Sequence, residues 1–182
     1  MRNLYIIPFV AAPAANASGI EITVAGEASG TISIDLFEDV APAHAERIKT
    51  LATEGAYDGV VFHRVIDGFM AQTGDVEFGT IEGNPRRWGT GGSSYPDLAA
   101  EFSDLPYDRG VVGMARSQNP NSANSQFFIM FEPGYFLNGD YTVVGRVTSG
   151  MEVVDAIKRG QPRSGQIRDG APDVMTQVIV TE

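Results

Sequence analysis

The chain has 182 residues, 43% apolar and 20% charged, the size and balance of one soluble domain with a single core. Its formal net charge of −10 argues against a nucleic-acid or anionic-membrane surface, since both demand clustered Lys and Arg. With no cysteine and only two histidines, His44 and His63, disulfides, thiol nucleophiles and thiolate zinc sites are excluded, and a histidine-rich metal centre lacks ligands.

Residues 1–17 carry Arg2, an apolar run from Leu4 to Ala12 interrupted by Pro8, and the small-x-small triplet Ala15-Asn16-Ala17. This is the layout of a secretory signal peptide, too short for a transmembrane helix. It predicts a mature chain starting near Ser18 and exported; if the segment is instead a first strand or an apolar tail, the protein is cytoplasmic. Ile20 to Val24 alternates as a half-buried strand, and Thr31 to Phe37 is its partner across a turn. Pro42 opens a helix over Ala43–Glu54, with Ile48 and Leu51 at helical spacing and Gly55 as its stop.

Two short apolar runs then flank Asp67-Gly68, a strong hairpin signal. Arg64 lies inside the first run, where a charge is costly unless it has a partner or a task. Two registers are open. A two-residue loop puts Arg64 and Gln72 on opposite faces. A three-residue loop of Asp67, Gly68 and Phe69 pairs Ile66 with Met70 and puts Arg64, Met70 and Gln72 on one face.

From Gly74 to Phe102 the pattern dissolves into glycines and prolines, a long surface loop of the kind that is either functional or disordered. Gly110–Ala115 and Ser125–Phe131 read as strands, separated by a polar, turn-rich stretch. Pro133–Asp140 is a loop and Tyr141–Val147 a strand. Met151–Lys158 is a short helix, and Val174–Val180 is the final strand. About eight strands and two helices, without βα alternation or internal repeat, predict a mainly-β fold. The expected form is a closed eight-stranded antiparallel barrel with two α-helices capping its ends.

Most candidate chemistry dissolves on inspection. Gly89-Thr90-Gly91-Gly92-Ser93 has no preceding strand or following lysine-bearing helix, so it reads as a loop and not a phosphate cradle. His63 has no serine at a recognisable spacing and reads as a core or hydrogen-bonded histidine. Asp35, Glu38 and Asp39 suit a helix N-terminus better than an acid–base pair. Phe127 and Phe128 must face opposite ways in a strand, so one of them is available to line a groove. What survives is an arginine, an amide and several apolar groups. Such a site binds an apolar group beside a polar backbone, or catalyses a step that breaks no bond.

The run Phe62-His63-Arg64-Val65-Ile66-x-Gly68-Phe69-Met70-x-Gln72-x-Gly74-Asp75 resembles the signature of the cyclophilin family of peptidyl-prolyl cis-trans isomerases. The similarity continues through Gly89–Gly92, Gly113–Arg116, Asn121–Ile129, Leu137–Gly139 and Val143–Val147. It spans about Ile20 to Val180, and the form Arg116-Ser117-Gln118-x-Pro120-Asn121-Ser122-Ala123 resembles bacterial members. The resemblance implies a barrel with two helices and rotation about X-Pro peptide bonds in folding proteins, in the bacterial periplasm if the chain is exported. It further implies Arg64 as the catalytic residue and a proline pocket of Phe69, Met70, Phe128 and Leu137. Gln72 and Gln126 would hold peptide backbone, with Ala115 and Arg116 on the groove wall. Phe136 and Tyr141 depart from the Trp and His of many eukaryotic members, and Phe136 implies weak cyclosporin binding. The sole Trp, Trp88, does not replace the missing one. The three-residue hairpin loop is the register this site requires. The implied protein is a monomer that needs no cofactor or metal, binds proline-containing peptides and unfolded chains, and touches neither nucleic acid nor membrane. The rival readings are a proline-binding recognition module without turnover and a general holdase.

Overall fold

A computed structural model describes residues 18–168 and 170–182. The proposed signal peptide, residues 1–17, lies outside the described residues. The chain runs β1 (Gly19–Ala25), β2 (Gly30–Leu36), α1 (Pro42–Thr53), β3 (Val60–Val61), β4 (Arg64–Ile66) and β5 (Met70–Thr73). It continues through β6 (Val111–Met114), β7 (Phe127–Met130), a 3-10 turn (Tyr135–Leu137), β8 (Val143–Ser149), α2 (Met151–Ala156) and β9 (Val174–Thr181). One antiparallel sheet holds all nine strands in the order β3-β9-β1-β2-β8-β6-β7-β5-β4.

The outermost strands of this ladder, β3 and β4, are joined in sequence by only Phe62 and His63. Three peptide steps reach at most about 11 Å, so the sheet has to curl until its ends lie close. The result is a curled half-barrel of nine strands, not the closed eight-stranded barrel expected from the sequence. The difference has a local cause. The apolar run Val60–Ile66 divides at Phe62–His63, its first half pairing with β9 and its second with β5.

The alternation in β1 and β2 places Ile20 opposite Ile34 and Ile22 opposite Ile32, all inside the curl. Helix α1 begins at Pro42, whose missing N–H costs nothing in the first turn. It buries His44, Ala45, Ile48, Leu51 and Ala52 along one stripe. Its leading amides are satisfied from a distance: Ala43 and His44 donate to Glu101 Oε1 and Oε2, both at 3.2 Å. The helix-start role expected of Asp35, Glu38 and Asp39 thus passes to Glu101, while Glu38 accepts from Lys49 Nζ at 2.5 Å.

Strands β6 and β7 are buried at every position, so their two faces feed two apolar clusters. Phe127 and Ile129 join the main core, with Phe127 edge-on to Tyr57 at 5.7 Å. Phe128 and Met130 point the other way, into a smaller cluster with Met70, Tyr107, Val111, Leu137 and Val143. That second cluster carries the site.

Candidate active site

The hairpin register is the first determinant. Ile66 pairs with Met70, Val65 with Ala71 and Arg64 with Gln72. The loop is therefore Asp67, Gly68 and Phe69, closed by the Phe69 N–H donating to Ile66 O at 3.0 Å. Gly68 sits at φ 68°, a conformation that a side chain disfavours. Directly opposed residues share a face, so a row crosses the sheet: Gln166 opposite Arg64, Arg64 opposite Gln72, Gln72 opposite Phe128, and Phe128 opposite Gly113. At the end of the row Gly113 makes room: a Cβ there would lie 2.4 Å from the Tyr107 hydroxyl and 2.6 Å from the Phe128 ring.

A directed hydrogen-bond chain fixes the polar members. Arg64 Nη1 donates to Gln72 Oε1 at 3.1 Å, Gln72 Nε2 to Gln126 Oε1 at 3.0 Å, and Gln126 Nε2 to the carbonyls of Gly89 and Gly91 at 3.1 and 2.8 Å. Arg64 Nε also donates to Ser164 O at 3.2 Å. The guanidinium is thus held at two nitrogens, leaving Nη2 without a protein hydrogen bond among the described residues. Partial burial lowers the Arg64 pKa, with the nearby Tyr141 opposing that shift.

The glycine loop is itself anchored by a carboxylate. The N–H groups of Glu77 and Phe78 donate to Asp75 Oδ1 at 3.2 and 2.9 Å, and those of Gly89 and Gly91 to Oδ2 at 2.7 and 3.1 Å. Asp75 is wholly buried, and its role as the loop's anchor was not drawn from the sequence. An aspartate followed by a glycine-rich stretch is the signal that points to it, because backbone N–H groups in such turns need an acceptor.

Beside Arg64 opens a hollow of about 240 Å³ that brings together ten of the expected site residues. Met70, Phe128 and Leu137 make an apolar floor, 2%, 5% and 7% exposed. Phe69 and Phe136 stand at the rim with ring centroids 5.4 Å apart, and Phe136 is 72% exposed. Ala115, Arg116 and Tyr141 make the far wall and Arg64 and Gln72 the near one. Arg116 lies 4.3 Å over the Tyr141 ring and donates to Asp140 O from Nε and Nη2, a contact that stiffens this wall. Gln126, the eleventh expected residue, lines the adjoining hollow instead, because its amide is committed to the glycine loop. Tyr107 was missed: stacked under Phe128 at 5.8 Å, it supports the floor from an irregular stretch with no periodic signal.

His63 is 6% exposed, and among the described residues neither ring nitrogen has a hydrogen-bond partner of good geometry. Burial pushes its pKa down to about 4, against the opposing pull of Asp75, so it is a neutral core ring at pH 7.

The fold and the hollow define a curled β protein with a fixed guanidinium beside a largely apolar recess. The family model described as cyclophilin type peptidyl-prolyl cis-trans isomerase/CLD matches residues 20–180. A probable peptidyl-prolyl cis-trans isomerase of Brucella suis biovar 1 is 58% identical over 154 residues, covering 83% of this chain and 78% of that protein. A peptidyl-prolyl cis-trans isomerase of Arabidopsis thaliana is 39% identical over 142 residues, covering 75% of this chain and 81% of that protein. The crystal structure of a cyclophilin type isomerase from Cryptosporidium parvum, in the presence of the dipeptide Ala-Pro, aligns with TM-score 0.74. It is 27% identical and covers 90% of this chain and 99% of that one. The chain belongs to the cyclophilin-type peptidyl-prolyl cis-trans isomerase family.

Proposed function

We propose that the chain catalyses X-Pro rotation by seating the proline ring on Met70, Phe128 and Leu137 while Arg64 stabilises the twisted amide. The observation that carries this is the placement of Arg64: held by Ser164 and Gln72 at the edge of the apolar hollow, with Nη2 unengaged among the described residues. Amide resonance makes the uncatalysed barrier about 20 kcal/mol. As the bond twists, resonance is lost and the proline nitrogen becomes pyramidal and gains a lone pair. A guanidinium donating to that lone pair stabilises the twisted amide more than either planar form. An acceleration of about five decades requires about 7 kcal/mol of such differential stabilisation. The apolar floor and the flanking amides supply the part of it that comes from orientation. No proton is transferred, in keeping with a site whose nearest histidine is buried and neutral.

Proline-containing peptides and folding chains are the substrates this reading implies, and the Cryptosporidium parvum structure, obtained in the presence of Ala-Pro, supports it by likeness. The signal-peptide pattern of residues 1–17 supports action after export, in a periplasmic compartment. The test of the mechanism is a proline-isomerisation assay. Arg64→Ala is expected to lower kcat/KM by about 100-fold to 1000-fold, the scale of removing one preorganised charge-stabilising donor. Arg64→Lys is expected to fall well below wild type, because a single ammonium cannot reproduce the forked geometry. Near-wild-type turnover in either variant overturns the assignment.

A further inference from the structure

On the other side of Arg64 lies a larger hollow, about 760 Å³, which no part of the mechanism above uses. Its composition runs against that of the chain. The sequence has 13 Lys and Arg against 23 Asp and Glu, yet among the described residues Arg64, Arg86 and Arg168 line this one hollow and no carboxylate does. Among the same residues none of the three makes an ion pair. Three guanidiniums lining one hollow repel one another, so the arrangement favours an anion between them.

The placement follows from the sheet. Gln166 bridges to Arg64 from the side opposite Gln72, which sets the Gln166 and Arg64 side chains on one face. Arg168, two residues further, donates to Gln166 Oε1 at 2.8 Å and so stays beside it. The facing wall is the segment before the glycine loop, which brings Arg86 and Trp88. The indole is pinned there by Nε1 donating to Thr80 O at 3.1 Å, and Gly89 beside it is tied down by Asp75. His63 lines the hollow too, nearly buried and with neither ring nitrogen in a hydrogen bond of good geometry among the described residues. The walls are therefore anchored before any ligand arrives.

Arg64 and Gln72 line this hollow and the apolar one alike. A chain whose proline sits on Met70 and Phe128 would pass over Arg64 and reach the second hollow within about three residues at the span of extended backbone. We propose that the second hollow is a substrate subsite for an aspartate or glutamate side chain near the proline, recognised by Arg86 and Arg168. The inference rests on the assignment of the apolar hollow to proline. The net charge of the whole protein works against acidic substrates at long range, so any preference for them has to arise locally.

The experiment uses paired peptides of equal length, one X-Pro bond each, with Glu or Gln at each of the three positions on either side of the dipeptide. The Glu peptide is expected to exceed its Gln counterpart in kcat/KM by about fivefold to tenfold at one position, the scale of one or two solvent-facing charge pairs. The ratio should shrink as salt rises from about 0.05 to about 0.5 M, by screening. In Arg86→Gln/Arg168→Gln it should fall to about one while the urea midpoint stays at the wild-type value. A ratio near one at every position in the wild type, or a preference that survives the double substitution, overturns the subsite. Arg64→Ala on the Gln peptides separates the two readings: strong loss there with no Glu preference leaves the proline assignment standing and removes this one alone.

Discussion

Asp75→Asn is the substitution that most directly tests how the loop governs the site. The carboxylate takes two N–H groups on each oxygen, at 2.7–3.2 Å, in a fully buried position. An asparagine keeps one acceptor oxygen and turns an NH2 toward the other pair of donors. Hydrogen bonds to a charged group contribute about 1.5–3 kcal/mol each, and donors left buried and unmet add their own cost. Losing one pair should therefore destabilise the fold by about 3–5 kcal/mol, a large share of a typical total of about 5–15 kcal/mol. The pair released is expected to be Gly89 and Gly91, because Glu77 and Phe78 lie within three residues of Asp75 and need no long-range closure. Their carbonyls hold Gln126, which holds Gln72, which holds Arg64, so kcat/KM should fall about tenfold although Asp75 lines none of the hollows described. Urea unfolding gives the stability, and hydrogen exchange at the Gly89 and Gly91 amides reads the loop. A midpoint within about 0.5 kcal/mol of wild type, with both glycine amides still protected, refutes the reasoning.

His63 titrates near pH 4 in the folded protein against an ordinary value of 6.5, so between those values the unfolded chain binds the extra proton. Stability should fall as pH drops through that window, by about 3 kcal/mol from this group alone. Against His63→Gln, the pH dependence of urea unfolding isolates the component, and parallel curves for the two proteins between about pH 7 and 4.5 would refute it. For the N-terminus, sequencing of the protein recovered from the periplasm is expected to begin near Ser18, whereas an intact Met1 would rule out cleavage.

The elements legible in advance were those with a strong period. Strands at Ile20–Val24 and Thr31–Phe37, and the helix opened by Pro42, match β1, β2 and α1 to within a residue or two. The opposite facing of Phe127 and Phe128 also followed from alternation alone. The hairpin register did not follow from local pattern, because Asp67-Gly68 is compatible with loops of two or three residues; the family resemblance required the three-residue loop, and the cross-strand pairing has it. Gln126 shows another limit. The sequence places it near the groove, but which carbonyls take its amide depends on a loop 35 to 37 positions away. The same holds for Arg86 and Arg168, which come to line one hollow with Arg64 only through tertiary bridging. The division of Val60–Ile66 into two strands was equally hidden, since no turn residue interrupts the run and only the different partners of its halves separate them.

The pairing of β1 with β9 has a consequence for biosynthesis. Gly19 lies opposite Thr181 and Ala25 opposite Val174, so a strand near one end of the described chain depends for one whole edge on a strand near the other. At elongation rates of about 5–20 residues per second, β1 waits on the order of ten seconds or more for its partner to be made. Throughout that interval Ile20, Ile22 and Val24 have only half of the surroundings that bury them. Until then the apolar face of β1 is open to proteases and other chains along that edge. The edge of the curl at β1 is therefore complete only once β9 has been made.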